Sequence, residues 1–307
     1  MCRKENQIMK KAFLLCLLSL LLAFPFAAAC AEGEQPETAV LCGKAYDVHS
    51  TELNIARTKI EDIDKFSEEL AQFTDLTYID MCDCWLSNEK MEVLCERFPD
   101  VKIVWKLYLG PERKWSLRTD AVAFSVLIAR SDYTKLKNED LEIFKYCTDL
   151  VALDLGHQAI TDITNLCEYL PNLRLLILAD NRLTDISPLA NLEHLHYLEL
   201  FVNRITDITP LAECRELVDV NVSYNDIKDF SPLYDMPMLE RLWLEKTKIP
   251  YSDLEGLVAM YPEAKIVFYG EGSVDQGWRV HERYTDYKDM FVNHTDGPLP
   301  ESIAKFG

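Results

Sequence analysis

The stretch Leu195-His196-Tyr197-Leu198-Glu199-Leu200-Phe201-Val202-Asn203-Arg204-Ile205-Thr206-Asp207-Ile208-Thr209-Pro210-Leu211 decides the fold. Leu198 and Leu200 lie two apart, as one face of a short strand requires. Asn203 follows where the chain must leave that strand, and Pro210 stands where the first turn of a short helix tolerates a residue without an N–H. The same residue types recur in segments beginning at Leu150, Leu173, Leu195, Leu217 and Leu239, with spacings of 23, 22, 22 and 22 residues. Such a period marks a stacked array, because one copy cannot bury its own apolar side and its neighbours must complete the core.

Three apolar columns run through the copies, among them Leu153, Leu176, Leu198, Val220 and Leu242. A polar column follows, Gln158, Asn181, Asn203, Asn225 and Thr247. An inward polar side chain is tolerable only when it is hydrogen-bonded, so this ladder is expected to be structural. Aspartates 162, 185, 207 and 229 recur a few residues on. They suit capping of the following turn, with calcium binding as the alternative. Looser copies precede the regular ones, from Leu53 through Ile63 and from Leu76 through Leu86, where Cys84 takes the place of the asparagine.

The pattern from Leu195 to Leu211 resembles the 22-residue repeats of bacterial internalin-like proteins. The resemblance implies an α/β leucine-rich-repeat solenoid, right-handed, with short parallel strands on the concave face and short helices or 3-10 turns on the convex face. It further implies an exported protein or lipoprotein of a Gram-positive, clostridial-type bacterium. The class of repeat does not fix the partner.

Working outward, Phe98-Pro99-Asp100-Val101-Lys102-Ile103-Val104-Trp105 is echoed by Tyr261-Pro262-Glu263-Ala264-Lys265-Ile266-Val267-Phe268. This larger repetition divides the array into an N-terminal divergent block with its cap, 40–109, and a regular block, 110–270. A strand, a glycine-centred turn and a second strand are expected around Gly43 and again around Gly110. Beyond lies an aromatic tail, 271–307, expected to dock on the solenoid.

At the other end, Lys10 and Lys11 precede an apolar run from Ala12 to Phe24, and Ala27, Ala28 and Ala29 follow. This is the pattern of a secretory signal peptide over 1–31, with a short linker over 32–39. Cys30 is either a lipidation site or part of an ordinary cleavage site. Export places the chain outside the cell, free or lipid-anchored to the outer face of the cytoplasmic membrane, with Cys30 the membrane attachment.

Loss of residues 1–31 moves the formal charge from −19 to −22. That charge repels phosphate backbones and argues against nucleic acid as a partner. Seven cysteines remain, an odd number that implies no complete disulfide framework.

Side chains alternate along a strand, so residues between the buried leucines face outward. In the last three copies these are Tyr197, Glu199, Phe201, Asp219, Asn221, Arg241, Trp243 and Glu245, with Tyr224 on the rim. Aromatics ringed by charges resemble an interface core with a polar rim, so this face is expected to bind a protein or glycan ligand. Single exposed aromatics are ordinary, and cover of Trp243 by the tail is the competing reading.

No nucleophile elbow, zinc-protease helix or phosphate loop occurs, and no catalytic residue, cofactor or metal is assigned. His194 and His196 read as two surface imidazoles. The leading expectation is a monomeric binding module without catalysis. The alternatives are a self-associating structural component of the cell envelope and a hydrolase housed in the tail.

Overall fold

The structure is a computed structural model that describes residues 38–126, 135–268 and 284–293. The expected signal segment with Cys30 lies outside the described residues, as do His281 and His294. Strands β1 (Thr38–Leu41) and β2 (Lys44–Asp47) pair across the turn at Gly43. Strands β3 (Glu52–Asn54), β4 (Tyr78–Asp80) and β5 (Lys102–Val104) form a parallel sheet, with helices α1 (Ile63–Leu70) and α2 (Asn88–Arg97) on the return paths.

An antiparallel hairpin follows, β6 (Lys106–Leu109) and β7 (Trp115–Arg118). The second sheet has seven parallel strands: β8 (Ala123–Ser125), β9 (Ala152–Asp154), β10 (Leu175–Ile177), β11 (Tyr197–Glu199), β12 (Asp219–Asn221), β13 (Arg241–Trp243) and β14 (Lys265–Val267). Its return paths are the 3-10 segments Asn138–Tyr146, Ser187–Asn191, Thr209–Glu213 and Ser231–Tyr234 and the helices α3 (Thr164–Tyr169) and α4 (Tyr251–Met260). A last helix, α5, spans Tyr284–Asn293.

The fold is a leucine-rich-repeat solenoid. Leu153, Leu176, Leu198, Val220, Leu242 and Ile266 stand in register from strand to strand and point into one core. Burying each such side chain contributes about 1.5–3 kcal/mol. Because each strand contributes only a few, stability is shared between neighbouring coils.

The buried ladder turns the chain out of each strand. Asn203 Oδ1 accepts from Leu183 N at 3.0 Å, and its Nδ2 donates to the carbonyls of Leu178 and Leu200 at 2.9 and 3.0 Å. Asn181 and Asn225 repeat this arrangement, and Gln158 approximates it by accepting from Leu136 N and donating to Gly156 O. Cys84 keeps one link to the coil before it, from its thiol to Ile55 O at 3.3 Å, and one within its own turn, to Cys82 O at 3.9 Å.

The residue before each ladder position adopts the left-handed conformation: Arg57, Asp83, His157, Asp180, Val202, Tyr224 and Lys246 all have φ between 50° and 62°. This conformation costs a residue with a Cβ about 1–2 kcal/mol. What offsets it is the backbone N–H, which in Asp180 donates to Phe201 O at 2.7 Å and in Tyr224 to Glu245 O at 2.8 Å, extending the pairing beyond the strand.

The boundary expected at 109/110 falls inside the β6–β7 hairpin, and one apolar core runs through both sides of it. The reason is that the hairpin seals the blocks together. Trp115 is fully buried and donates from Nε1 to Val126 O, while Arg118 reaches back to Asp80 Oδ2 at 2.8 Å and forward to Asp120 at 2.9 Å. Gly110, at φ 74°, is required here, because a Cβ would stand 2.4 Å from the Trp115 ring.

Replacing Asn203 by Ala leaves the buried Leu183 N–H without its acceptor, while the carbonyls of Leu178 and Leu200 keep their bonds from Asn181 and Asn225. The expected loss is about 1–3 kcal/mol, the ordinary cost of one buried unsatisfied group. Urea unfolding of N203A against the exposed control Arg204→Ala, expected within about 0.5 kcal/mol of the parent, checks it.

Candidate functional site

The outward strand face is not the open surface expected from alternation. Tyr197 and Phe201 are 3% exposed, and Trp243, Glu199, Asp219, Asn221, Arg241 and Glu245 are buried as well, leaving Tyr224 half-buried. One physical reason is on the face itself. Met290 and Phe291 of α5 are buried in a second apolar cluster with Ala123, Ala152, Leu175, Ile177, Ala179, Tyr197 and Phe201. The small residues of β8 and β9 leave room for the helix, and the larger ones of β10 and β11 flank it.

Around that cluster several polar groups are paired, while Asn221 Nδ2 is buried with no hydrogen-bond partner among the described residues. Tyr197 Oη donates to Glu199 Oε2 at 3.0 Å, and the Tyr224 ring meets Phe201 edge-on at 5.2 Å between centroids while its hydroxyl reaches Glu245 at 3.4 Å. At the far end Arg241 pairs with Asp219 at 3.3 Å and lies 5.0 Å from the Trp243 ring centroid, with Lys265 Nζ at 5.7 Å from the same ring.

Asn221 Oδ1 accepts from Ser223 N, as Asp154 accepts from Gly156 N and Asp80 from Cys82 N. In β4, β9 and β12 the last strand position therefore carries a side chain that closes the turn, a structural task that alternation did not reveal. The structure thus brings the nine expected residues together on one face, eight of them buried and Tyr224 half-buried, with α5 packed on Tyr197 and Phe201.

The remaining candidates resolve into structural roles. The aspartates cap the return segments: Asp162, Asp185, Asp207 and Asp229 accept from the backbone N–H of residues 164, 187, 209 and 231 at 2.8–2.9 Å. His194 is exposed as expected, but His196 is buried, its Nδ1 2.7 Å from His194 O, and burial pushes its pKa down.

The seven cysteines are free thiols, five of them buried. Burial pushes Cys84 up to about 11 and Cys82, Cys167 and Cys214 up to about 12. A thiol that does not ionise near neutrality is a poor nucleophile.

Two outcomes follow. In a chain without residues 1–31, Ellman's reagent at pH 8 is expected to reach Cys42 and Cys95, the two half-buried thiols, and to reach all seven only after unfolding. Titration gives the second. Hydrogen bonds from Thr164 and Thr209 hold Asp162 and Asp207 below the ordinary carboxylate value. A carboxylate with a depressed folded pKa contributes stability that is present above its unfolded value, about 3.9, and lost as pH falls through the folded one. The melting temperature is therefore expected to fall below about pH 4, and less steeply when both residues are Asn, which keeps the acceptor and does not titrate.

The family model for leucine-rich repeats (2 copies) matches residues 171–213. Among curated proteins no sequence matches. Several solved structures are similar. An internalin of Listeria monocytogenes is 22% identical with a TM-score of 0.41, over 73% of this chain and 68% of that one. Internalin C2 of the same organism is 26% identical with a TM-score of 0.36, over 48% and 70%. A leucine-rich-repeat protein of Leptospira interrogans is 16% identical with a TM-score of 0.37, over 70% and 52%.

Proposed function

We propose that the chain is an exported, non-catalytic module that binds a protein partner through its outward strand face, and that α5 holds this face until the partner takes its place. The repeats mark a protein-interaction domain. One observation carries the finer reading: the face already accepts an apolar helix, with Met290 fully buried and Phe291 3% exposed against Tyr197 and Phe201. A groove that receives an amphipathic helix by a few apolar anchors is a recurring mode of peptide recognition.

Export is supported by the basic and apolar run before residue 31, and among the described residues no helix is long and apolar enough to cross a membrane. Cys30 is the residue through which a lipid anchor would attach. The absence of catalysis is supported by the structural occupation of the thiols, aspartates and histidine pair.

A self-occupied face limits affinity by the fraction of molecules in which it is free. Releasing α5 should therefore expose the site without disturbing the solenoid. The double variant Met290→Asp/Phe291→Asp is expected to keep the parent's circular dichroism, to bind anilinonaphthalene sulfonate more strongly, and to bind a labelled peptide of residues 280–297 that the parent does not. Adding Phe201→Ser should abolish peptide binding. A folded double variant that ignores the peptide would sink the proposal.

A further inference from the structure

The N-terminal block carries a cavity that neither the repeat architecture nor the strand-face reading uses. It has a volume of about 850 Å³ and lies beside the turns that follow β3, β4 and β5. Its floor is apolar, built from the buried Met81, Met91 and Trp105. The indole of Trp105 is fixed by donating from Nε1 to Asn88 Oδ1 at 3.1 Å, which leaves the Asn88 amide hydrogens to face a ligand.

Three cations reach this cavity, Arg57, Lys106 and Arg113, and none forms an ion pair with a described residue. Against the two carboxylates that also line it, Asp83 and Glu89, these three cations leave the cavity with an excess of positive charge in a chain of formal charge −19. Arg113 is held in place instead by Tyr108, its guanidinium carbon 3.8 Å from the ring centroid. The Tyr108 hydroxyl donates to Asp83 Oδ1 at 2.5 Å, occupying the nearer of the two carboxylates at the site. Glu89 is the other, exposed at the rim.

Trp85 stands over the mouth. Its side chain is 68% exposed and its backbone is left-handed, at φ 59°. A bulky aromatic gains nothing for the core from that position and bears the cost of the conformation. Arg57 in the preceding turn and Asp83 in the same turn share the conformation and line the same cavity.

We infer that this cavity binds a small acidic carbohydrate, with a sugar ring stacked on Trp85, its carboxylate among Arg57, Lys106 and Arg113, and its hydroxyls on Asn88, Ser87 and Glu89. The volume falls within the range of ligand pockets. An open aromatic face suits the apolar side of a pyranose ring, guanidinium groups suit a carboxylate, and a carboxylate and an amide at the rim pair with hydroxyl groups.

Calorimetric titration of the chain without residues 1–31 tests this. The probes are uronic-acid tetrasaccharides, the same sugars with their carboxyl groups reduced to alcohols, and hexaglutamate. An acidic tetrasaccharide is expected to bind with Kd between about 10 μM and 1 mM, and its reduced form at least about tenfold more weakly, in line with loss of charge-assisted hydrogen bonds. Trp85→Asn, which suits a left-handed backbone, and Arg113→Gln should each weaken binding by about tenfold or more with the melting temperature kept, whereas Trp85→Phe should retain it.

Met290→Asp/Phe291→Asp should leave sugar binding unchanged, so failure of the strand-face reading and failure of the cavity are separately visible. The inference is overturned if no acidic tetrasaccharide gives saturable heat, if the reduced sugars bind equally, or if Trp85→Asn binds as the parent does. Hexaglutamate binding in place of the sugars would assign the cavity to acidic peptides and overturn it as well.

Discussion

Each coil of the solenoid must leave its strand within two or three residues and still keep every inward backbone group bonded, and a buried carboxamide makes this possible. Asn181, Asn203 and Asn225 each connect their own turn to the coil before them through donors and an acceptor on one planar group. The left-handed residue beside each amide completes the turn by bonding to the coil after it. Without that pair of links the leucines on either side could not hold a common register, because a short strand alone has too few hydrogen bonds to fix one.

The ladder also explains why the chain can vary elsewhere. Where Cys84 stands in place of the amide, only one weak side-chain link to the coil before it survives, and the N-terminal block relies on other devices: the Arg118 network, the β6–β7 hairpin and the edge-on contact of the Trp105 and Tyr146 rings, 5.4 Å apart. The cavity beside β5 and the exposed Trp85 belong to this same block.

On the regular side, the strand face and the tail helix solve each other's problem. A sheet of short strands carrying Leu175, Ile177, Tyr197 and Phe201 outward exposes more apolar surface than an isolated chain tolerates well, and α5 carries Met290 and Phe291 that need burial. Their contact hides both. It also gives the protein a surface whose availability depends on a helix rather than on the solenoid's own stability.

The period of 22 residues, the leucine columns, the amide ladder and the aspartate caps were all legible in the sequence, because each is a local requirement repeated at fixed spacing and repetition averages out chance. The glycine-centred hairpins at Gly43 and Gly110 were legible for the same local reason, through turn chemistry. The accessibility of Tyr197, Phe201 and Trp243 was not, since alternation along a strand tells which way a side chain points and says nothing about what another part of the chain lays over it. Nor was the burial of His196, or the meeting of Arg57, Lys106 and Arg113 at one cavity. Those residues are brought together from separate coils and a hairpin, and only the stacking of the tertiary structure sets the distances between them.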